Sequence, residues 1–259
     1  MSSSQSNELL KLKGSQFRES NYDKAVIAVG STEYHGDHLP FGTDTIVSEH
    51  LARQIVSKIN GMVMLPTIPL GMSAHYSSFP ISLTLQTETL MRILNEVFNS
   101  LNRHGLKRLL IINGHDGNIP AIQASTNEYR ALHPEFKIAV LESWWITAGQ
   151  LLPEGTFEVW NGLGHGGEGE TSMMLFIDPK LVDMEKAKGV VPILPEHVEY
   201  KWTFDELTPF GATGDPSKAN VEKGKLMNEA LVNLLVKFVE DMDEKGWSLS
   251  KIQDDNSII

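Results

Sequence analysis

Three short clusters hold nearly all the side chains that could bind a cation or move a proton. The first is Gly30-Ser31-Thr32-Glu33-Tyr34-His35-Gly36-Asp37-His38, with Asp44 following a Pro40-Phe41-Gly42 turn. The second is Asn113-Gly114-His115-Asp116-Gly117-Asn118, and the third runs from Gly164 through His165 to Glu170, Thr171 and Ser172. Glu33 and His35 are two apart, so in an extended segment both point to one side. Taken singly, each residue has an ordinary explanation. Asp44 suits a helix N-cap, His115 a tight turn, and Glu33 a surface carboxylate. Glycines 164, 166, 167 and 169 could form an anion nest before a helix. That alternative is weak, because the loop carries Glu168 and Glu170, whose charge would repel phosphate.

Taken together, the clusters favour metal. The chain has no cysteine, so any ion must be held by His, Asp and Glu, the ligand set of hydrolytic zinc, manganese or iron sites. Two histidines and three carboxylates can serve two divalent ions when one carboxylate bridges them, leaving about one positive charge for a bound hydroxide to neutralise. Paired ions bring the pKa of bound water toward neutrality and polarise a carbonyl oxygen. His38, His50, His104, His133 and His197 read as structural or solvated, as does His75, although His75 is kept as a candidate substrate contact.

The bulk numbers exclude several classes. The chain has 259 residues, 41% hydrophobic and 21% charged, which is ordinary globular composition. A formal charge of -11 disfavours nucleic acid and anionic membranes as partners. Met1 to Asn7 is polar, without the apolar core of a signal peptide, and no apolar run approaches the roughly 20 residues of a membrane span. A cytoplasmic protein acting on a small molecule is the expectation.

Four short apolar runs predict buried strands: Lys24 to Gly30, Met62 to Leu65, Arg108 to Ile112 and Lys137 to Leu141. Helical periodicity fills Asp44 to Ile59, Thr87 to His104, Pro120 to His133, Glu170 to Phe176 and Ala219 to Met242. Strands alternating with helices imply an α/β fold with a mostly parallel sheet covered on both faces, where ligands bind beyond the strands' carboxyl ends. A single domain over 1–259 is expected. Residues 1–20 form a polar lead-in, with a short amphipathic piece at Leu9 to Leu12, and 189–217 form an ordered irregular excursion near the site.

These blocks resemble the creatininase (creatinine amidohydrolase) family along nearly the whole chain. The matching pieces are Gly30-Ser31-Thr32-Glu33-x-His35-Gly36 with Leu39-Pro40 and Thr43-Asp44, then Gly71-x-Ser73-x-His75 with Phe79-Pro80. Asn113-Gly114-His115-x-Gly117-Asn118, His165-Gly166-Gly167-x-x-Glu170-Thr171-Ser172 and Gly211-x-x-Gly214-Asp215-Pro216 follow in the family's order. The resemblance implies a three-layer αβα sandwich and two divalent ions per subunit, zinc or manganese, with iron in a related deformylase. It places Glu33 and His115 on one ion, His35 and Glu170 on the other, and Asp44 between them. It assigns His165 as the catalytic proton shuttle or oxyanion partner, a role imidazole suits near neutral pH. It also implies a homo-oligomer, commonly a hexamer built from dimers.

The implied reaction is hydrolysis of a cyclic amide or formamide C–N bond in a small polar metabolite by a metal-bridging hydroxide. The alternatives are a formylamino-pyrimidine nucleotide deformylase, a hydrolase of an oxidised inositol, and a non-enzymatic, metal-stabilised binding or accessory protein. No Lys or Arg lies inside the three clusters, which tells against a phosphorylated substrate. Candidate substrate contacts are Asp116, Trp160, Glu168 and His75, with Trp144, Trp145 and Trp202 as further aromatic candidates. Three departures from the family pattern tell against creatinine as substrate. Gly117 stands where creatininase has a glutamate, Asn161 where a pocket tryptophan is expected, and Ile81-Ser82 where Gly-Thr is common.

Overall fold

The computed structural model describes residues 7–195, 197–198 and 201–248. Its centre is a parallel sheet of β1 (Lys24–Val29), β2 (Met62–Met64), β3 (Arg108–Asn113) and β4 (Lys137–Leu141), in the order β2-β1-β3-β4. Every residue of β1 is buried. A central strand covered on both faces needs no polar alternation, which explains the unbroken KAVIAV run.

Side chains alternate across the sheet and so divide the core in two. Val26, Ala28, Leu110 and Ile112 face one layer, and Ala25, Ile27, Leu109 and Ile111 face the other. The first layer is made by α2 (Thr43–Val56), α5 (Trp144–Leu151), α6 (Glu168–Ile177) and α8 (Val221–Glu244), through Val47, Trp144, Met173 and Leu231 among others. The second is made by α3 (Thr87–Arg103) and α4 (Ile119–Leu132), through Leu94, Phe98 and Ile122. Burying each large apolar side chain stabilises the fold by about 1.5–3 kcal/mol, so the two layers hold the sheet rigid. The expected three-layer α/β sandwich is therefore the fold, and its sheet is wholly parallel among the described residues.

Two elements go beyond the expectations. The N-terminal lead-in is more structured than its polarity suggested: a short 3-10 turn at Leu9–Lys11 and the helix α1 (Gly14–Glu19) pack Leu9, Leu12 and Phe17 against the core. The segment containing Trp144 and Trp145 forms α5, which the sequence did not announce because eight residues give too few turns for a clear helical period. Among its described residues, the 189–217 stretch is irregular apart from α7 (Phe204–Leu207) and the start of a 3-10 turn at Pro216; a Val190–Thr213 bridge ties its beginning to its end.

The parallel topology places the loops after β1 and β3 side by side at one edge. The N-terminal turns of α2 and α6 converge on the same place.

Candidate metal centre

Asp44 lies in the first turn of α2, but the N-cap is Gly42 and the Asp44 carboxylate caps nothing. The N-cap explanation is overturned. The side chain turns inward, 2% exposed, and meets a histidine on each side. Its Oδ1 is 2.9 Å from His35 Nε2, and its Oδ2 is 3.3 Å from His115 Nδ1. Glu33 Oε1 is 3.2 Å from the same His115 Nδ1, and Glu170 Oε2 is 3.9 Å from His35 Nε2. Three groups of possible ligand atoms result, Glu33/Asp44/His115, His35/Asp44/Glu170 and Glu33/His35/His165, and Asp44 is common to the first two. Close approach makes this possible. A β-carbon at Gly114 would collide with the Asp44 carbonyl oxygen, so only glycine lets the β3 loop lie against α2 here.

The protonation pattern favours cations between these atoms. His115 Nε2–H donates to the Met72 carbonyl at 2.9 Å, and His35 Nδ1–H donates to the Glu33 carbonyl at 3.1 Å. A carbonyl only accepts, so those ring nitrogens hold the protons. In the neutral rings, the opposite nitrogens present lone pairs to carboxylate oxygens. Acceptor facing acceptor is repulsive unless a proton or a metal ion lies between. Glu33 Oε1 and Asp44 Oδ2 are, moreover, buried without a hydrogen-bond donor among the described residues. Histidines anchored through the second nitrogen to a carbonyl are the usual arrangement behind metal ligands.

The titration behaviour follows from the same contacts. Burial opposes charge on His35, but Asp44, Glu170 and Glu33 outweigh it and raise its pKa to about 9. His115, equally buried, is held well above its ordinary value by Glu33 and Asp44. Burial also works against the Asp44 carboxylate, yet His35 and His115 hold it well below the usual carboxylate range. Glu170 rises to about 7, chiefly through burial, with Asp44 and Glu33 adding repulsion against the opposing pull of His35. Without metal, protons on the two histidines supply the positive charge that the carboxylates demand.

His165 stands beside this cluster. Its Nε2–H donates to the Tyr34 carbonyl at 2.6 Å, so Nδ1 is left as an acceptor, 3.6 Å from Glu33 Oε1. Burial and the positive charges of His35 and His115 drive its pKa well below the ordinary value. Its ring packs against His35 at 4.0 Å and Tyr76 at 4.3 Å between centroids.

A cavity of about 310 Å³ opens over the cluster. Asp44, His115, His165 and Glu170 form its polar end, and Tyr76, Trp145, Trp160, Trp202 and Phe204 supply aromatic walls. His75 and Asp116 also line it, so with Trp160 three of the four candidate substrate contacts lie at the cavity. Glu168 does not. It is fully buried away from the cavity, paired with Lys223 Nζ at 2.5 Å and accepting the Glu158 and Val159 backbone N–H groups. Its carboxylate holds the turn that carries Trp160. Trp144 belongs to the core rather than the cavity. His38 is structural, donating from Nε2 to the Gly166 carbonyl at 3.1 Å and so steadying the turn before Glu170.

Sequence reasoning missed several contributors. Ser31 Oγ donates to Glu33 Oε2 at 3.1 Å and lies 2.6 Å from Ser73 Oγ, which orients the Glu33 carboxylate. Asn118 donates to the Gly30 carbonyl, and Asn113 to those of His115 and Glu142, lacing the two loops together. Ser31, Ser73, Asn113 and Asn118 stood inside the quoted motifs, so the signal was present. Tyr76 and Phe204 gave none. Gly117 proves sterically fixed: a β-carbon there would collide with the Met72 carbonyl and crowd the His115 and His75 rings.

Residues 11–239 match the family described as creatinine amidohydrolase. A creatinine amidohydrolase of Pseudomonas putida is 30% identical over 80% of this chain and 85% of its own length. A mycofactocin precursor peptide peptidase of Mycobacterium ulcerans is 27% identical over 83% of each chain. A solved structure described as creatininase Mn superposes with a TM-score of 0.78 at 26% identity, covering 92% of this chain and 98% of that one.

Proposed function

The chain belongs to the creatininase (creatinine amidohydrolase) family, and we propose that it is a metal-dependent hydrolase of an amide C–N bond in a small, unphosphorylated molecule. One observation carries this proposal. Asp44 is shared by two groups of closely spaced ligand atoms, and its Oδ2 and Glu33 Oε1 are buried without a hydrogen-bond donor among the described residues. Glu33, His115 and Asp44 would hold one divalent ion, and His35, Glu170 and Asp44 a second, with zinc or manganese suited to the nitrogen and oxygen donors. Such a pair, when bound, makes water a nucleophile near neutral pH and polarises a carbonyl.

The chain's own residues do the rest. His165 Nδ1 accepts the proton from water as its oxygen joins the carbonyl carbon. It returns that proton to the nitrogen as the C–N bond breaks, so a carboxylic acid and an amine leave, and the acid's proton passes to the amine to give carboxylate and ammonium. Neutral imidazole with its proton on Nε2 leaves Nδ1 free to accept one. Its Nε2–H bond to Tyr34 fixes the tautomer and aims Nδ1 at the cluster. Tyr76 and Phe204 clamp the ring, and the aromatic walls keep bulk water from the carbonyl.

Among the described residues, no Lys or Arg lines the cavity. This weighs against a phosphorylated formylamino-pyrimidine, since phosphate recognition calls for such donors. The decisive experiment is a panel of amides, lactams and formamides offered to metal-loaded wild-type protein and to His165→Ala. The proposal requires turnover by the wild type, and a loss of about 100-fold or more in kcat with unchanged metal content in the variant. Full metal content with no turnover of any amide would favour the binding-protein alternative.

A further inference from the structure

Behind the Glu33/His115/Asp44 ligand set lie two hydroxyls that the proposed mechanism leaves unused. Ser31 and Ser73 are 42 residues apart in sequence, and both are fully buried. Their order of donation is fixed by what each can give. Ser31 spends its one hydroxyl hydrogen on Glu33 Oε2, at 3.1 Å. Its contact with Ser73 Oγ, at 2.6 Å, therefore runs the other way, with Ser73 donating. Ser73 Oγ is left as an acceptor and faces His115 Nε2 at 3.4 Å. That N–H, bonded to the Met72 carbonyl at 2.9 Å, has Ser73 as a second, longer acceptor.

A hydroxyl relay thus starts at the outer nitrogen of His115 and ends at the outer oxygen of Glu33. The inner atoms of the same two side chains, His115 Nδ1 and Glu33 Oε1, are 3.2 Å apart and belong to one candidate ion. Both serines are themselves tied down. Thr45 Oγ1 donates to the Ser31 carbonyl at 2.8 Å, and the Ser73 N–H donates to Thr84 Oγ1 at 2.9 Å. The second ligand set is supported differently. His35 Nδ1–H donates to the Glu33 carbonyl, and Glu170 Oε2 accepts the Gly166 N–H at 2.6 Å. Those supports are backbone groups.

We propose that Ser31 and Ser73 are positioning residues for one ion only, the ion that Glu33 and His115 would share with Asp44. A donor on Oε2 holds the carboxylate in one rotation and leaves Oε1 to the cation. Bonds of this kind behind a ligand orient it and raise metal affinity. Without the Ser31 hydroxyl, Oε2 becomes a buried acceptor that has lost its donor. The inference rests on the metal-dependent reading above, but ion binding can be measured without turnover.

Mn²⁺ binding, followed by calorimetry and by the paramagnetic signal of the free ion, tests it with each ion studied alone. Glu170→Gln removes a ligand of the second ion, and Glu33→Gln a ligand of the first. In the Glu170→Gln background, Ser31→Ala should weaken the remaining ion by roughly tenfold or more. Ser73→Ala, one link further out, should weaken the same ion by less. In the Glu33→Gln background, Ser31→Ala should leave the affinity within about twofold, as for independent sites. Should either glutamine variant bind no ion, the two-ion protein still decides, since Ser31→Ala must weaken one binding step and spare the other. Serines that merely pack the loops would weaken both ions alike, and that result overturns the inference, as does unchanged affinity throughout. Wild-type protein that takes up no Mn²⁺ strikes the metal-dependent reading as well, whereas two ions indifferent to Ser31 strike this inference alone.

Discussion

Asp44 stands between His35 and His115 with one carboxylate oxygen turned to each, 2.9 Å on one side and 3.3 Å on the other. A single side chain thereby couples two ligand sets, and no other residue is common to both of these groups.

Replacing Asp44 with Asn should therefore cost both ions rather than one. The neutral amide is a weak ligand, and its NH₂ would be thrust at a histidine lone pair. Metal analysis after dialysis should give well under half the wild-type content. A variant retaining one full equivalent would show that the two sites are independent.

Removing the metal should reverse the pH dependence of stability. In the metal-free protein the His35 pKa is raised to about 9 above its unfolded value, and His115 is raised too. The stabilisation from their charge is complete below about pH 6.5, the ordinary histidine value, and is lost as pH rises through the folded value. Metal binding displaces those protons and so strengthens as pH rises. Thermal melts from pH 6 to 9 should show the metal-free Tm falling and the gap to loaded protein widening. A gap independent of pH would contradict this protonation scheme.

Gly117→Ala tests the packing beneath His115. The added β-carbon meets backbone at Met72, which cannot rotate away, and the His115 and His75 rings lie close by. Overpacking of this kind typically costs about 1–3 kcal/mol. Urea denaturation should register that loss, together with weaker metal binding, because the displaced groups include the Met72 carbonyl that fixes His115. Unchanged stability would mean that the 71–76 segment yields easily.

Lys223→Met should destabilise the fold by about 3 kcal/mol, since it leaves the fully buried Glu168 carboxylate without its cation. The backbone donors from Glu158 and Val159 remain, so the loss should stop short of unfolding. The loosened turn should also shift the fluorescence of Trp160. The double variant Lys223→Met/Glu168→Gln should recover part of the stability, which a double-mutant cycle would quantify.

Much of this protein was legible from its sequence because the relevant signals are local. The run from Lys24 to Val29 needs both faces buried, whatever surrounds it, and the periodicity of Thr87 to Arg103 marks one apolar stripe. Glu33, His35, His115, His165 and Glu170 lay in compact motifs whose residue types suit divalent ions. Asp116, Trp160 and His75, singled out by their nearness to those motifs, line the cavity, and the same criterion misplaced Glu168. Two residues before Glu170 on α6, Glu168 leaves the helix in another direction and meets Lys223 rather than the cavity.

Tertiary structure alone decided which oxygen faces which nitrogen, that Asp44 lies between two histidines rather than capping its helix, and that Tyr76 and Phe204 from distant segments enclose His165. Spacing along a chain constrains direction over a few residues only. A parallel sheet brings together ends that lie tens of residues apart, and the contacts formed there depend on every layer packed behind them.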